Sequence, residues 1–170
     1  RLTELAAAVP PLVTPVLLFV DAQPQEVRRA LQVVPNALLQ FHGHEDSTYC
    51  QSFGRPYLRA AAMGENIDLL EFERAFAGAA GLLADAARAG EGGTGHAFDW
   101  SRLPAPAQRT LPLILAGGLD AQNVGAAIAS VRPYAVDVSS GVEETQGVKS
   151  IALLRSFFAA VRRADAQSGA

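Results

Sequence analysis

Residues 113–141 read LILAGGLDAQNVGAAIASVRPYAVDVSSG, and this stretch contains the repeating unit of the fold. Two short, continuous apolar runs, Leu113–Ala116 and Ala135–Val138, flank a helical segment predicted over Ala121–Ser130. Continuous apolar runs are typical of strands buried on both faces, as in a parallel sheet. The stretch therefore predicts a strand–helix–strand unit of a parallel α/β protein.

The same pattern recurs along the rest of the chain, at about 20–30 residues per unit. Further strands are predicted over Val16–Val20, Ala37–Phe41, Tyr57–Met63 and Ala80–Ala84. Further helices are predicted over Arg1–Ala8, Pro24–Val34, Asp46–Phe53, Asn66–Ala75 and Val148–Arg163. An open doubly wound sheet and a (β/α)8 TIM barrel both fit this alternation.

Glycine-rich turns follow the last two predicted strands: Gly117-Gly118 after one and Ser139-Ser140-Gly141 after the next. Glycine lets the backbone approach an anion closely, and free N–H groups at helix starts bind phosphate. Ordinary βα turns have the same composition. In eight-stranded barrels, however, phosphate sites are commonly built from the loops after strands seven and eight. We therefore predict phosphate binding at Gly117, Gly118, Ser140 and Gly141.

This position favours the α/β (β/α)8 TIM barrel, with about six βα units, strands 3–8, in this chain. A barrel takes about 250 residues over eight units, whereas the chain has 170. The chain begins with Arg1, and its only methionine is Met63. We expect residues 1–170 to form a single barrel domain that is incomplete at its N-terminus.

The composition, 49% hydrophobic and 18% charged residues, is typical of a folded soluble domain. A net charge of −3, with acids and bases mixed along the chain, argues against a nucleic-acid or anionic-membrane surface. Cys50 is the only cysteine, so no internal disulfide can form, and a reducing compartment is expected. No apolar run reaches the length of a membrane span.

Polar side chains lie at or near the ends of the other predicted strands. Asp21 ends the first strand, His42 follows the second, the third carries Arg59, Asp85 ends the fourth, and the last contains Asp137. In barrels of this kind the active site lies at the carboxyl ends of the strands. We therefore expect the functional side chains among these residues.

The pair His42-x-His44 raises the alternative of a metal-dependent hydrolase. A catalytic zinc needs about three protein ligands, and the only other histidine, His96, lies in a distant loop. Glu45-Asp46 after His44 instead indicates a helix start. We expect no metal.

The glycine-rich segment GGTGHAFDW, residues 92–100, is not a nucleotide-binding loop. It lacks the GK[ST] of a P-loop and the third glycine of a dinucleotide fingerprint. We expect a flap anchored by Phe98 and Trp100, with Asp99 capping a short helix.

Four motifs together resemble the phosphoribosylanthranilate isomerase family of tryptophan biosynthesis: LLQFHGHE, LLADA…GGTGHAFDW, LAGGLDAQNV and VDVSSGVE…GVKS. They keep the family's order and spacing from about Val16 to about Val161. The resemblance implies an Amadori rearrangement of N-(5-phosphoribosyl)anthranilate to 1-(2-carboxyphenylamino)-1-deoxyribulose 5-phosphate, with no metal and no cofactor. It also implies a cytoplasmic isomerase, monomeric or homodimeric, that binds a small phosphorylated substrate and neither nucleic acid nor membrane.

The resemblance also implies roles for individual residues. Asp85 is expected to be the general acid that protonates the ribose ring oxygen, and its apolar surroundings favour the protonated state that this step needs. Asp137 is similar to the residue that orients the anthranilate amino group, and His42 matches a position that lines the pocket. We add Arg59 as a substrate-binding residue. Gly117, Gly118, Ser140 and Gly141 match the phosphate loops.

The family's general-base cysteine, in a KICG-type motif, and its arginine after the second strand have no counterpart in these 170 residues. Cys50 lies within a predicted helix and is expected to be packed and inert. The alternative is a catalytically inactive barrel fragment or a partner-binding module. For a protein of these 170 residues alone we expect negligible isomerase activity.

Overall fold

The computed structural model describes residues 1–64, 67–86 and 98–168. Its strands are β1 (Val16–Phe19), β2 (Leu38–Phe41), β3 (Tyr57–Met63), β4 (Gly81–Ala86), β5 (Leu113–Leu115) and β6 (Ala135–Val136), followed by the short β7 (Glu143–Thr145) and β8 (Val148–Lys149). Its α-helices are α1 (Leu2–Ala7), α2 (Pro24–Val33), α3 (Ser47–Gln51), α4 (Leu69–Ala75), α5 (Val124–Val131) and α6 (Ile151–Ser168). Single 3₁₀ turns cover Trp100–Arg102, Pro106–Gln108 and Ser140–Val142.

Strands β1 to β6 follow one another across the main sheet in chain order, and every neighbouring pair is parallel. A doubly wound sheet would instead reverse its strand order at an internal switch point. Strictly sequential parallel strands are the arrangement of a barrel, and these six form a curled half-barrel. The barrel prediction is confirmed, and each predicted strand is present within two residues of its expected bounds.

The two faces of the sheet pack differently. Towards the helices lies the larger core, whose fully buried strand side chains include Leu39, Phe41 and Leu115. On the opposite, inner face a small cluster forms from Ala60, Leu83, Ile114 and Ala116, with Leu58 packed against it. Because successive side chains of a strand point to opposite faces, this division fixes which polar residues face the barrel interior.

Capping residues set the helix starts. Asp46 accepts a hydrogen bond from the Tyr49 N–H (2.7 Å) at the start of α3. Asp68 accepts from the N–H groups of Leu70 (2.8 Å) and Glu71 (3.2 Å), and α4 begins directly after it at Leu69. Asx side chains at this position satisfy N–H groups that have no partner inside the helix. The predicted start of α4, Asn66, lies outside the described residues.

One predicted helix start is wrong because a hairpin occupies it. Val148 belongs to β8, which pairs antiparallel with β7, and α6 begins only at Ile151. Gly147 (φ +80°) makes the turn, and the Lys149 ammonium forms an ion pair with Glu143 across the hairpin (2.7 Å). Across the described residues, no helix is long and apolar enough to cross a membrane.

Candidate active site

A cleft of about 260 Å³ opens at the carboxyl ends of the strands. It is lined by six of the predicted site residues: His42, Asp85, Gly117, Gly118, Asp137 and Ser140. They come from four separate strand ends, so only the curvature of the sheet makes them neighbours. Gly141, the seventh residue brought to this region, lies directly behind Ser140 in the same turn.

Two carboxylates, those of Asp85 and Asp137, line this cleft. Asp85 lies at the end of β4, on the same face of the strand as the inner residue Leu83. Asp137 follows β6, where its N–H donates to the Leu115 carbonyl (2.8 Å). The Asp137 side chain is open to the cleft, but the loops around it remove part of its hydration. This desolvation, and then the negative charge of Asp85, raise the pKa of Asp137, while His42 and Lys149 oppose the rise.

The carboxyl group of Asp137 is therefore expected to titrate above the ordinary aspartate pKa of 3.8. Replacing Asp85 by Asn removes a neighbouring negative charge, and the pKa of Asp137 should then move down. Because the folded state holds this proton more tightly than the unfolded state, the stability it contributes is present at low pH and is lost as the pH rises through the raised pKa. Carboxyl ¹³C NMR titration of both proteins measures this, and an unchanged Asp137 pKa in Asp85→Asn would contradict the coupling.

The turn after β5 is held in one shape by its own side chains. Gly117 (φ +80°) and Gly118 (φ +66°) both adopt left-handed backbone conformations. The Asn123 amide nitrogen donates to the Gly118 carbonyl (2.8 Å), and its oxygen accepts from the Asp120 N–H (2.9 Å). These bonds hold the Gly118 peptide in place before α5 begins. The helix predicted over Ala121–Ser130 is present as α5, which begins three residues later, at Val124.

The turn after β6 packs directly against the turn after β5. A Cβ on Gly141 would overlap the Leu119 carbonyl oxygen and lie 2.9 Å from its carbon. The Lys149 ammonium donates to the Ser139 carbonyl (2.8 Å) from the hairpin side. The two glycine-rich turns thus form one continuous wall of the cleft, with the cation of Lys149 behind it.

Arg59 is the one predicted site residue that the structure does not bring to the cleft. Along β3, Leu58 packs with the inner cluster, whereas Tyr57 belongs to the helix-side core. The guanidinium of Arg59 lies on the helix side, over the rings of Phe72 (5.5 Å) and Phe76 (4.9 Å). Contact between Arg59 and the substrate stays a prediction. The position of the guanidinium on the helix side of β3 does not favour it.

Sequence reasoning missed a cluster beside the cleft, at the ends of β1 and β2. Asp21 (φ +49°) accepts from the His44 N–H (2.5 Å) and contacts the His44 ring nitrogen (3.0 Å). Hydrogen bonds from His44 lower the pKa of Asp21, and the same contact raises the pKa of His44. The buried Glu45 accepts the N–H groups of Asp21 (2.7 Å) and Gly43 (2.8 Å). The signal in the sequence was Glu45, which directly follows His44. From the sequence alone it was interpreted only as part of a helix start.

Cys50 is buried in α3, as predicted. Burial raises the pKa of its thiol to about 11, so the thiolate is scarce at neutral pH. Within residues 1–64, 67–86 and 98–168, no group of three or more His, Cys, Asp or Glu side chains is arranged to hold a metal ion.

The predicted flap falls mostly outside the described residues, as does His96. Its described end agrees with the prediction: Phe98 and Trp100 pack against the helix-side core. Asp99 accepts from the Ser101 N–H (3.0 Å) and caps the short 3₁₀ turn.

Comparison with known proteins points to one family. A family model of N-(5'-phosphoribosyl)anthranilate (PRA) isomerase matches residues 1–160. An N-(5'-phosphoribosyl)anthranilate isomerase of Leptothrix cholodnii is 51% identical over 98% of this chain and 74% of its own length. The crystal structure of the phosphoribosyl anthranilate isomerase from Thermus thermophilus is 31% identical and superposes with a TM-score of 0.83, covering 95% of this chain and 78% of that one.

A further similar structure contains a ligand. It is a phosphoribosyl anthranilate isomerase in complex with reduced 1-(o-carboxyphenylamino)-1-deoxyribulose 5-phosphate, 26% identical, with a TM-score of 0.73 over 95% of this chain and 77% of that one.

Proposed function

The chain belongs to the phosphoribosylanthranilate isomerase family, and from that premise we propose which of its residues bind and convert the substrate. It is an isomerase of tryptophan biosynthesis that performs the Amadori rearrangement of N-(5-phosphoribosyl)anthranilate. The observation that carries the assignment of residues is the single cleft in which two carboxylates face two glycine-rich turns.

The phosphate of the substrate binds at the wall formed by Gly117, Gly118, Ser140 and Gly141. Left-handed glycines leave backbone N–H groups accessible to an anion, which side chains at these positions would cover. The cation of Lys149 behind this wall adds a favourable field for a dianion. Asn123 keeps the Gly118 peptide from turning when the phosphate leaves.

The reaction begins with opening of the ribose ring, for which the ring oxygen must be protonated. Asp85 donates this proton as the general acid, because it lies on the inner face of β4 at the mouth of the cleft. Ring opening gives an imine, from which a general base removes the C2 proton to give an enamine; a proton returned to C1 then gives the ketone. By the family resemblance this base is a cysteine on the first strand, which has no counterpart in these 170 residues. The buried Cys50 does not take part in this proton abstraction.

Asp137 and His42 bind the anthranilate half of the substrate. Asp137 holds its proton to higher pH than an ordinary aspartate, so its carboxyl can accept from or donate to the anilinic nitrogen. His42 is half-buried on the facing wall and bounds the pocket on that side.

The test separates binding from turnover. The protein of these 170 residues is expected to bind the reduced product analogue, with inorganic phosphate as a competitor. A parent protein that also supplies the family's general-base cysteine is expected to consume the fluorescent substrate. Binding is measured by calorimetry, and turnover by the loss of anthranilate fluorescence. Failure to bind the analogue at millimolar concentration, together with absent turnover, would overturn the assignment.

Partner and location follow from the same proposal. The partner is a small phosphorylated molecule, and a net charge of −3 supports neither a nucleic acid nor an anionic membrane. A cytoplasmic location is supported by the single, buried cysteine. The protein is a monomer or a homodimer, which sedimentation equilibrium distinguishes.

A further inference from the structure

The guanidinium of Arg59 is buried, with 5% of the residue exposed, on the face of β3 opposite the cleft. One terminal nitrogen donates to the carbonyls of Phe41 and Ala60 (2.9 Å each), and the other donates to the carbonyl of Gly43 (2.7 Å). Phe41 and Gly43 are the two residues that flank His42 in the chain. Arg59 therefore grips the backbone on both sides of a residue that lines the cleft.

Burial of a cation costs free energy unless hydrogen bonds and opposite charges replace its lost hydration. Desolvation lowers the pKa of the Arg59 guanidinium, although arginine remains charged at neutral pH. Three carbonyl contacts and the rings of Phe72 and Phe76 compensate for part of the lost hydration, while the Arg59 Nε has no hydrogen-bond partner among the described residues. Phe41 is the last residue of β2 and Gly43 lies in the turn after it, whereas Ala60 lies within β3 itself.

Glu45 binds the same turn with a negatively charged side chain. It is 6% exposed, and its two oxygens accept the N–H groups of Asp21 (2.7 Å) and Gly43 (2.8 Å). Its charge acts on the Arg59 guanidinium and favours the charged form of that group. Arg59 and Glu45 therefore meet at Gly43 in the turn after β2, where Arg59 binds the carbonyl and Glu45 binds the N–H.

The turn after β2 packs closely against the end of β1. A Cβ on Gly43 would lie 2.6 Å from both the side-chain carbon and the backbone nitrogen of Asp21. The His42 N–H donates to the Phe19 carbonyl (2.9 Å). With its backbone pinned by β1, Arg59 and Glu45, His42 has a defined direction into the cleft.

We propose that Arg59, with Glu45, is a positioning residue that aims His42 at the anthranilate half of the substrate from behind the strand, without touching the substrate. The inference rests on the proposed function, in which this cleft binds the aminated sugar phosphate. If Arg59 and Glu45 served stability alone, their loss would not lower affinity for the anthranilate half more than affinity for the phosphate.

The decisive variant is Arg59→Met, which keeps length and apolar contact but removes every donor. Affinity for the reduced product analogue is expected to fall about tenfold or more, because small displacements of positioned groups are costly. Affinity for inorganic phosphate should stay within about twofold, since the phosphate wall is built from other strand ends. The His42 ring signals in ¹⁵N-histidine NMR should shift.

Arg109→Met is the matched control. Its guanidinium is also partly desolvated and donates to a backbone carbonyl, that of Val131 (2.6 Å), but it is absent from the cleft lining. Its loss should lower Tm without moving the His42 signals or either affinity. Arg59→Lys should restore the analogue affinity only in part, because a single ammonium does not reproduce the guanidinium fork.

Unchanged His42 signals and an unchanged analogue affinity in folded Arg59→Met would overturn the inference, and so would equal losses for analogue and phosphate. If Arg59→Met does not fold, Glu45→Gln replaces it, with the same shifts expected. Should the unaltered protein fail to bind the analogue, the proposed function fails, and the His42 signals still decide whether Arg59 positions His42.

Discussion

In a parent protein that supplies the family's general-base cysteine, Asp85→Asn lowers the turnover of the phosphoribosylanthranilate substrate by about 10²–10⁴-fold, the usual contribution of a positioned general acid. Asparagine keeps the size and polarity of the side chain but has no proton to give to the ring oxygen. The side chain lines the cleft at the end of β4, and it is absent from the phosphate wall. Affinity for the reduced product analogue and for inorganic phosphate should therefore change by no more than a few-fold.

Turnover is measured by substrate fluorescence, and affinity by calorimetry of the same preparations. Asp68→Asn is the matched control, since it makes the same change in an exposed helix cap, where Asn serves about as well as Asp. Its turnover should equal that of the unaltered protein. Unchanged turnover in Asp85→Asn would reject the acid assignment, and a parallel loss of analogue affinity would reassign Asp85 to binding.

Gly117→Ala destabilises the protein by about 2–5 kcal/mol, combining left-handed strain of about 1–2 kcal/mol with overpacking of about 1–3 kcal/mol. A Cβ there would overlap the backbone nitrogen of Ala86 and lie 2.8 Å from its Cβ. Because Ala86 directly follows Asp85, relief of the overlap must move the end of β4 or the phosphate turn. Phosphate affinity and turnover should both fall.

Substitutions at two other glycines separate the cost of the left-handed backbone from the cost of steric overlap. Gly147 has the same φ of +80°, but a Cβ there meets nothing within 4 Å, so Gly147→Ala should cost about 1–2 kcal/mol. Gly125 lies in α5 with open space and ordinary φ, and Gly125→Ala should stabilise by about 0.5–1 kcal/mol. Chemical denaturation measures all three variants. A Gly117→Ala cost no greater than that of Gly147→Ala would show that contact with Ala86 does not matter.

Much of the fold could be predicted because its signals are local. The apolar run Tyr57–Met63 coincides with β3, and the helix predicted over Pro24–Val34 is one residue longer than α2. The β7–β8 hairpin was missed because its strands are only two and three residues long. Strands this short show no alternation of their own. The helical periodicity of α6, which begins two residues after β8, therefore extended the predicted helix over Val148.

The location of a side chain in the cleft could be predicted where the residue lies at or just after the end of its strand, because the carboxyl ends of the strands converge in any barrel. Asp85, Asp137 and the glycine turns follow that rule, and they line one cleft. Arg59 does not, because it lies in the middle of β3, where its direction depends on the phase of the strand. A run such as YLRAAAM is apolar on both sides of the arginine and shows no alternation from which that phase can be read.

The sequence by itself determined the order of strands and helices, the turns that carry glycine, and the family to which the chain belongs. These depend on neighbouring residues and on motifs that keep their order. The tertiary structure alone decided that Arg59 points away from the cleft and holds the carbonyls on both sides of His42. It also decided that Gly117 lies against the end of β4 and Gly141 against the turn after β5. Such relations join residues far apart in the chain, and they exist only once the sheet has curled and its faces have been chosen.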